Sequence, residues 1–154
     1  KWNFENKPIT KDATEIIESN YVANEKENLV VSFDQIKKNI LSKSFNVIDA
    51  RSLERFEGKV SEPRKGLRSG HIQNSFCLPF NQCINQKTGE FKNLEELREL
   101  FNQNENIEKR LDQVFTCGSG VTAAVLAYAY KMVNNDYIPK IYDGSWSEYG
   151  KYPA

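Results

Sequence analysis

Apolar positions are sparse over the first 28 residues and become dense and periodic after them. Lys1 to Asn28 is dominated by Lys, Glu and Asn, and Ile16, Ile17, Tyr21 and Val22 make at most a short amphipathic patch. We expect residues 1–28 to be a linker or N-terminal extension and residues 29–154 to be the folded domain. Leu29-Val30-Val31 predicts a short strand, and Ser32, three residues before Gln35, forms a capping-box pattern opening a helix through about Leu41. Phe45 to Ala50 is a β-rich run, and Ser75 to Phe80 is a second one closed by Pro79. Leu94, Leu97, Leu100 and Phe101 fall at helical spacing behind Asn93, a side chain suited to capping, so a one-sided helix runs to Asn102. Gln113 to Thr116 predicts a strand and the Ala-rich stretch Val121 to Asn134 a helix. Lys140 to Tyr142 is a last short strand, followed by a turn at Asp143-Gly144 and the aromatics Trp146, Tyr149 and Tyr152. Strands alternating with helices argue for an α/β fold with a largely parallel sheet covered on both faces. Such sheets bind ligands beyond the carboxyl ends of their strands.

Composition narrows the function classes. At 154 residues with 39% hydrophobic content the chain is most simply one domain. Lysine plus arginine equals aspartate plus glutamate at 21 each, so no net field argues for nucleic acid or an anionic membrane. No apolar run approaches the ~20 residues of a bilayer span, and no signal-peptide pattern opens the chain. Three cysteines, Cys77, Cys83 and Cys117, form no Cys-x-x-Cys pair, and one histidine, His71, argues against a histidine-based metal site. A reducing compartment and a small-molecule partner fit. The chain begins at Lys1 and its only methionine is Met132, which suggests a fragment or processed product.

The candidate chemistry centres on Cys117-Gly118-Ser119-Gly120, between the strand ending at Thr116 and the helix from Val121. At a helix N-terminus, unpaired backbone N–H groups and the helix dipole favour negative charge, which stabilises a thiolate. Gly118 and Gly120 allow the loop to curl so that its N–H groups converge as a nest. A buried structural cysteine before a glycine turn is the competing explanation. Phosphatases of related architecture also hold an anion in a loop after a cysteine, but they close that loop with an arginine, and none follows Cys117 here.

Cys117-Gly118-Ser119-Gly120-Val121-Thr122-Ala123 resembles the active-site loop of the rhodanese superfamily, and within it that of 3-mercaptopyruvate sulfurtransferases. Val47-Ile48-Asp49-Ala50-Arg51 and Tyr142-Asp143-Gly144-Ser145-Trp146 match two further signatures, so the resemblance runs from about Val30 to Pro153. It implies a rhodanese-like fold and transfer of sulfane sulfur through a Cys117 persulfide, from 3-mercaptopyruvate or a related donor such as thiosulfate, to cyanide or a thiol such as thioredoxin. No cofactor or metal is implied. Arg55 and Arg64 match a pair that binds the substrate carboxylate and keto group, and Gly118, Gly120, Val121 and Thr122 match the substrate-binding loop. In tandem members a segment like 1–28 joins two rhodanese-like halves, so a preceding half is implied, with the cytoplasm or mitochondrial matrix as compartment. A catalytically silent docking module of a larger protein is the alternative from a different functional class.

Other residues are assigned more conservatively. Ser119 is either a small loop residue or a serine that relays to a histidine and an aspartate, both supplied in this family by the preceding domain. His71, in Gly70-His71-Ile72, matches a structural motif, although Gln73, Asn74 and Ser75 depart from the usual continuation. Asp49 and Arg51 are expected to be structural, capping the strand end or pairing with each other, and Cys77 and Cys83 to be packing or surface residues.

Overall fold

A computed structural model describes residues 2–24, 26–103, 107, 108 and 110–153. Four parallel strands form the sheet: β1 (Phe45–Asp49), β2 (Ser75–Cys77), β3 (Asp112–Thr116) and β4 (Lys140–Ile141), in the order β2-β1-β3-β4. The helices are α1 (Phe33–Ser42), α2 (Leu53–Phe56), α3 (Leu94–Asn102), α4 (Val121–Val133) and α5 (Ser145–Tyr149), with 3-10 turns at Glu27–Leu29 and Phe80–Cys83. The expected α/β architecture is present.

The pleat of the two central strands builds a core on each face, because successive side chains point to opposite sides. Val47 and Val114 turn toward Ile36 of α1 and toward Ile72, Tyr142 and Trp146. Ile48 and Phe115, the next register pair, turn toward Leu97 and Leu100 of α3 and Ala123, Leu126 and Ala127 of α4. The small alanines leave room for α4 to lie close to the sheet.

Both helices that carry a capping signal begin where it stands. Ser32 Oγ accepts from Gln35 N while Gln35 Oε1 accepts from Ser32 N, and Asn93 and Glu96 make the same reciprocal pair at α3. The strand expected at Leu29–Val31 is a correction. The chain coils through a 3-10 turn to Leu29 and only Val30 bridges to Ile141, in parallel, with Val31 N donating to Ile141 O at 2.8 Å. The turn expected after Asp143-Gly144 continues into α5, an element the hydrophobic pattern did not reveal. Residues 2–24 are exposed and hold no helix or strand.

Candidate active site

Between the last residue of β3 and the first of α4 lie only Cys117 to Gly120, so the chain reverses at the carboxyl edge of the sheet next to its centre. Cys117 is 2% exposed. Burial pushes its thiol up, but the Thr122 hydroxyl and the backbone N–H groups of Ser119, Ala123 and Thr122 bond the sulfur. Together these donors outweigh burial and hold the thiol below its ordinary value, favouring the thiolate. The Ser119 N–H lies 3.5 Å from Sγ. The donors to the sulfur thus come from Ser119 and the first turn of α4.

Gly118 and Gly120 give the loop room in different ways. Gly120 has φ +83°, a conformation that side chains rarely adopt, and a Cβ there would collide with Asp143 Oδ1. Its N–H is taken by Ser145 Oγ at 3.0 Å, and the same oxygen accepts from Cys117 N at 3.2 Å. Ser145 is fully buried, sits at φ +52°, and donates its own proton to Tyr142 O at 2.9 Å. The first turn of α5 completes the support, with Trp146 N on Cys117 O and Ser147 N on Gly118 O, both at 2.9 Å. One buried hydroxyl and two backbone amides thus satisfy polar groups that a tight reversal leaves without partners. Ser145 is the functional residue that sequence reasoning missed. Its signal was present in the Tyr142 to Trp146 signature, which marked a resemblance but did not say what the serine bonds.

The structure brings Arg55 and Arg64 together at the loop. A Cβ placed on Gly118 would lie 3.1 Å from Arg55 Nη2 and 3.7 Å from Arg64 Nη1. Gly118 is where the loop passes beneath two guanidiniums. Arg55 is about a quarter exposed and is anchored by Glu62, whose Oε2 accepts from Nη2 at 2.6 Å. Glu62, 1% exposed at its side chain, also takes Arg51 Nη1 at 2.7 Å. Arg51 in turn pairs with Asp49, donates to Gly70 O, and stacks on Trp146 at 4.5 Å. Arg64 is exposed and has no ion-pair partner among the described residues. Arg51 and Arg55 are paired with Asp49 and Glu62, which leaves the Arg64 guanidinium beside Gly118 as a cation with no carboxylate partner among the described residues. It can attract an anion to a buried thiolate.

Residues 32–152 match the family described as the rhodanese-like domain. The chain belongs to the rhodanese-like family. It is 34% identical over 148 residues to 3-mercaptopyruvate sulfurtransferase of Homo sapiens, covering 96% of this chain and 49% of that protein. It is 42% identical over 126 residues to the mitochondrial thiosulfate/3-mercaptopyruvate sulfurtransferase 1 of Arabidopsis thaliana, covering 82% and 32%. The crystal structure of SseA from Escherichia coli, described as a 3-mercaptopyruvate sulfotransferase, superposes with a TM-score of 0.76 at 30% identity, covering 96% of this chain and 53% of that one. The chain thus spans between about a third and a half of the length of these relatives.

The remaining candidate side chains of this rhodanese-like domain lie outside the sulfur's donor set. Val121 opens α4 with its side chain 74% exposed, and its N–H is not among the donors to Cys117. The Ser119 hydroxyl makes no hydrogen bond among the described residues, although its N–H serves the sulfur. His71 stacks on Phe56 with ring centroids 4.0 Å apart and its Nδ1 lies 2.8 Å from Phe56 O, a packing arrangement. Burial pushes Cys83 up to about 11 and, with the Asp49 charge adding to it, Cys77 up to about 12, so both thiols stay protonated.

Proposed function

We propose that this rhodanese-like domain accepts sulfur from 3-mercaptopyruvate on Cys117 and passes it to a thiol. The observation that carries the reading is a thiolate-favouring Cys117 beneath two arginines that converge on Gly118. The donor's carboxylate would pair with Arg55 and Arg64, because planar guanidinium forks match carboxylates, and this would set its sulfur above Cys117. Gly118, Gly120, Val121 and Thr122 would line the donor's approach. The Cys117 thiolate then attacks that sulfur. A sulfur–sulfur bond forms, the carbon–sulfur bond breaks, and its electron pair goes to the enolate of pyruvate. The proton that leaves the transferred sulfur balances the one the enolate gains. What remains is a Cys117 persulfide anion, whose terminal charge suits the same N–H donors. A thiol such as thioredoxin would then remove the outer sulfur.

Thiosulfate fits the same site as a second donor, since it is anionic and releases sulfite in the same displacement. Ser119 would relay to a histidine and an aspartate supplied by a preceding rhodanese-like half of a longer chain, with residues 1–28 as the connection. The compartment would be the cytoplasm or mitochondrial matrix.

Intact-mass analysis after incubation with 3-mercaptopyruvate tests the reading. One added sulfur is expected, removed by cyanide and absent in Cys117→Ser. Arg64→Lys keeps the charge but loses the fork and should raise the donor concentration needed for half-maximal labelling. Sulfur addition that survives Cys117→Ser and vanishes in Cys77→Ser would overturn the assignment.

A further inference from the structure

Arg55 and Arg64 both face Gly118, yet they are held in unlike ways. The side edge of the Arg55 guanidinium is occupied: Nε donates to Glu62 Oε1 at 3.3 Å and Nη2 to Glu62 Oε2 at 2.6 Å. Its end edge is turned to the loop, with Nη2 at 3.1 Å and Nη1 at 3.8 Å from where a Gly118 Cβ would stand. A guanidinium carries five N–H donors in a rigid plane, so fixing one edge fixes the direction of the other. Glu62 can do this because it cannot move. Its carboxylate is buried, and Oε1 is also tied to Arg51 Nη1 at 2.7 Å. Arg51 is locked by Asp49 at the end of β1, by Gly70 O and by Trp146. A continuous chain of charge pairs therefore runs from the sheet to the arginine above the cysteine loop.

We infer that Glu62 is a positioning residue that aims the end edge of Arg55 at the donor's carboxylate, making Arg55 the fixed half of the clamp and Arg64 the adjustable half. This rests on the proposed role of Arg55 as a carboxylate fork. By occupying the side edge, Glu62 obliges the donor to bind end-on. By sharing its charge with Arg51, it orients Arg55 without neutralising it. The Arg55-to-Pro63 segment thus carries its own alignment device in Glu62, two residues before Arg64.

The test uses two probes that alkylate a thiolate with loss of bromide. 3-Bromopyruvate presents the carboxylate of the donor, and bromoacetone is its neutral counterpart. The readout is the ratio of their rates at Cys117, relative to the same ratio for free cysteine. Arg55→Ala is expected to lower that ratio about ten- to a hundredfold. Glu62→Gln and the shorter, still charged Glu62→Asp should each lower it by about tenfold, with the bromoacetone rate unchanged within about twofold. In the Arg55→Ala background, Glu62→Gln should add almost nothing, as required of a residue acting through Arg55. Glu62→Asp retains the buried charge and covers the case in which the Gln variant does not fold. Wild-type ratios in the folded Glu62 variants, full additivity with Arg55→Ala, or an equal fall with bromoacetone would overturn the inference while leaving Arg55 as a fork. An unchanged ratio in Arg55→Ala would remove the fork itself and the inference with it.

Discussion

At Cys117 two opposed influences meet in one atom, and the hydrogen-bond donors prevail over burial. The sign of the pH dependence follows. A thiol held below its ordinary value remains thiolate to lower pH than a free cysteine, and its reactivity declines only as pH drops through that lowered midpoint. The pH profile of iodoacetamide labelling should therefore have its Cys117 midpoint below that of free cysteine. Cys83 and Cys77, at about 11 and about 12, should remain unlabelled at neutral pH. Thr122→Val removes a hydroxyl donor to the sulfur, so the midpoint should move up and labelling at pH 7 should slow about threefold or more. A midpoint unchanged by Thr122→Val would show that the backbone donors alone set the thiolate. The importance of Cys117 could be inferred locally, because a cysteine at a strand–loop–helix junction announces its environment through its neighbours. The partner of Gly120 could not, since Ser145 lies 25 residues away.

The shortest helix has a large structural task. α5 is five residues long, yet its first turn supplies Ser145 Oγ and two N–H groups to the cysteine loop. Isolated helices of that length are unstable, so α5 persists because the loop's carbonyls and amides complete it. Ser145→Ala would leave the N–H groups of Cys117 and Gly120 without their acceptor. The expected cost is ~1–3 kcal/mol for unmet buried donors, about 2–4 °C in melting temperature for each kcal/mol. Persulfidation should slow in parallel, because the loop that carries the sulfur is then less well held. Thermal denaturation followed by circular dichroism, with labelling rates on the same samples, checks both. An unchanged melting temperature would mean water replaces the hydroxyl. The same non-local dependence explains why α5 escaped the hydrophobic pattern while α1 and α3 did not, for a capping box closes within three residues.

Proton supply in the proposed transfer from 3-mercaptopyruvate is a matter for the whole molecule. The chain has one histidine, and its ring is stacked on Phe56 with Nδ1 against Phe56 O. Pyruvate enolate must nevertheless be protonated, and a positioned general acid typically contributes ~10²–10⁴-fold. If a preceding half supplies the acid as proposed, residues 1–154 alone should accept sulfur yet release pyruvate more slowly than a longer chain that carries that half. The gap should approach the contribution of a general acid. Equal pyruvate release from the two, at matched donor and pH, would place a sufficient proton source within these residues and return attention to His71.

The alternation of strands and helices, the two capped helices and the cysteine at the end of β3 were all legible in order along the chain. Each is encoded by residues a few positions apart, through side-chain period, capping reach or the strand–loop–helix junction. The α/β class follows from that local information. A shared substrate-binding role for Arg55 and Arg64 was implied by resemblance, but nothing in their spacing dictates that they meet over Gly118. That meeting depends on the crossover between β1 and β2 folding back over the loop after β3. Glu62 and Ser145 carried no local signal of their tasks. Ser145 is buried beside amides 25 and 28 residues away and Glu62 beside guanidiniums 7 and 11 residues away, where an unpaired amide or charge would be costly, and folding alone determines which groups those are.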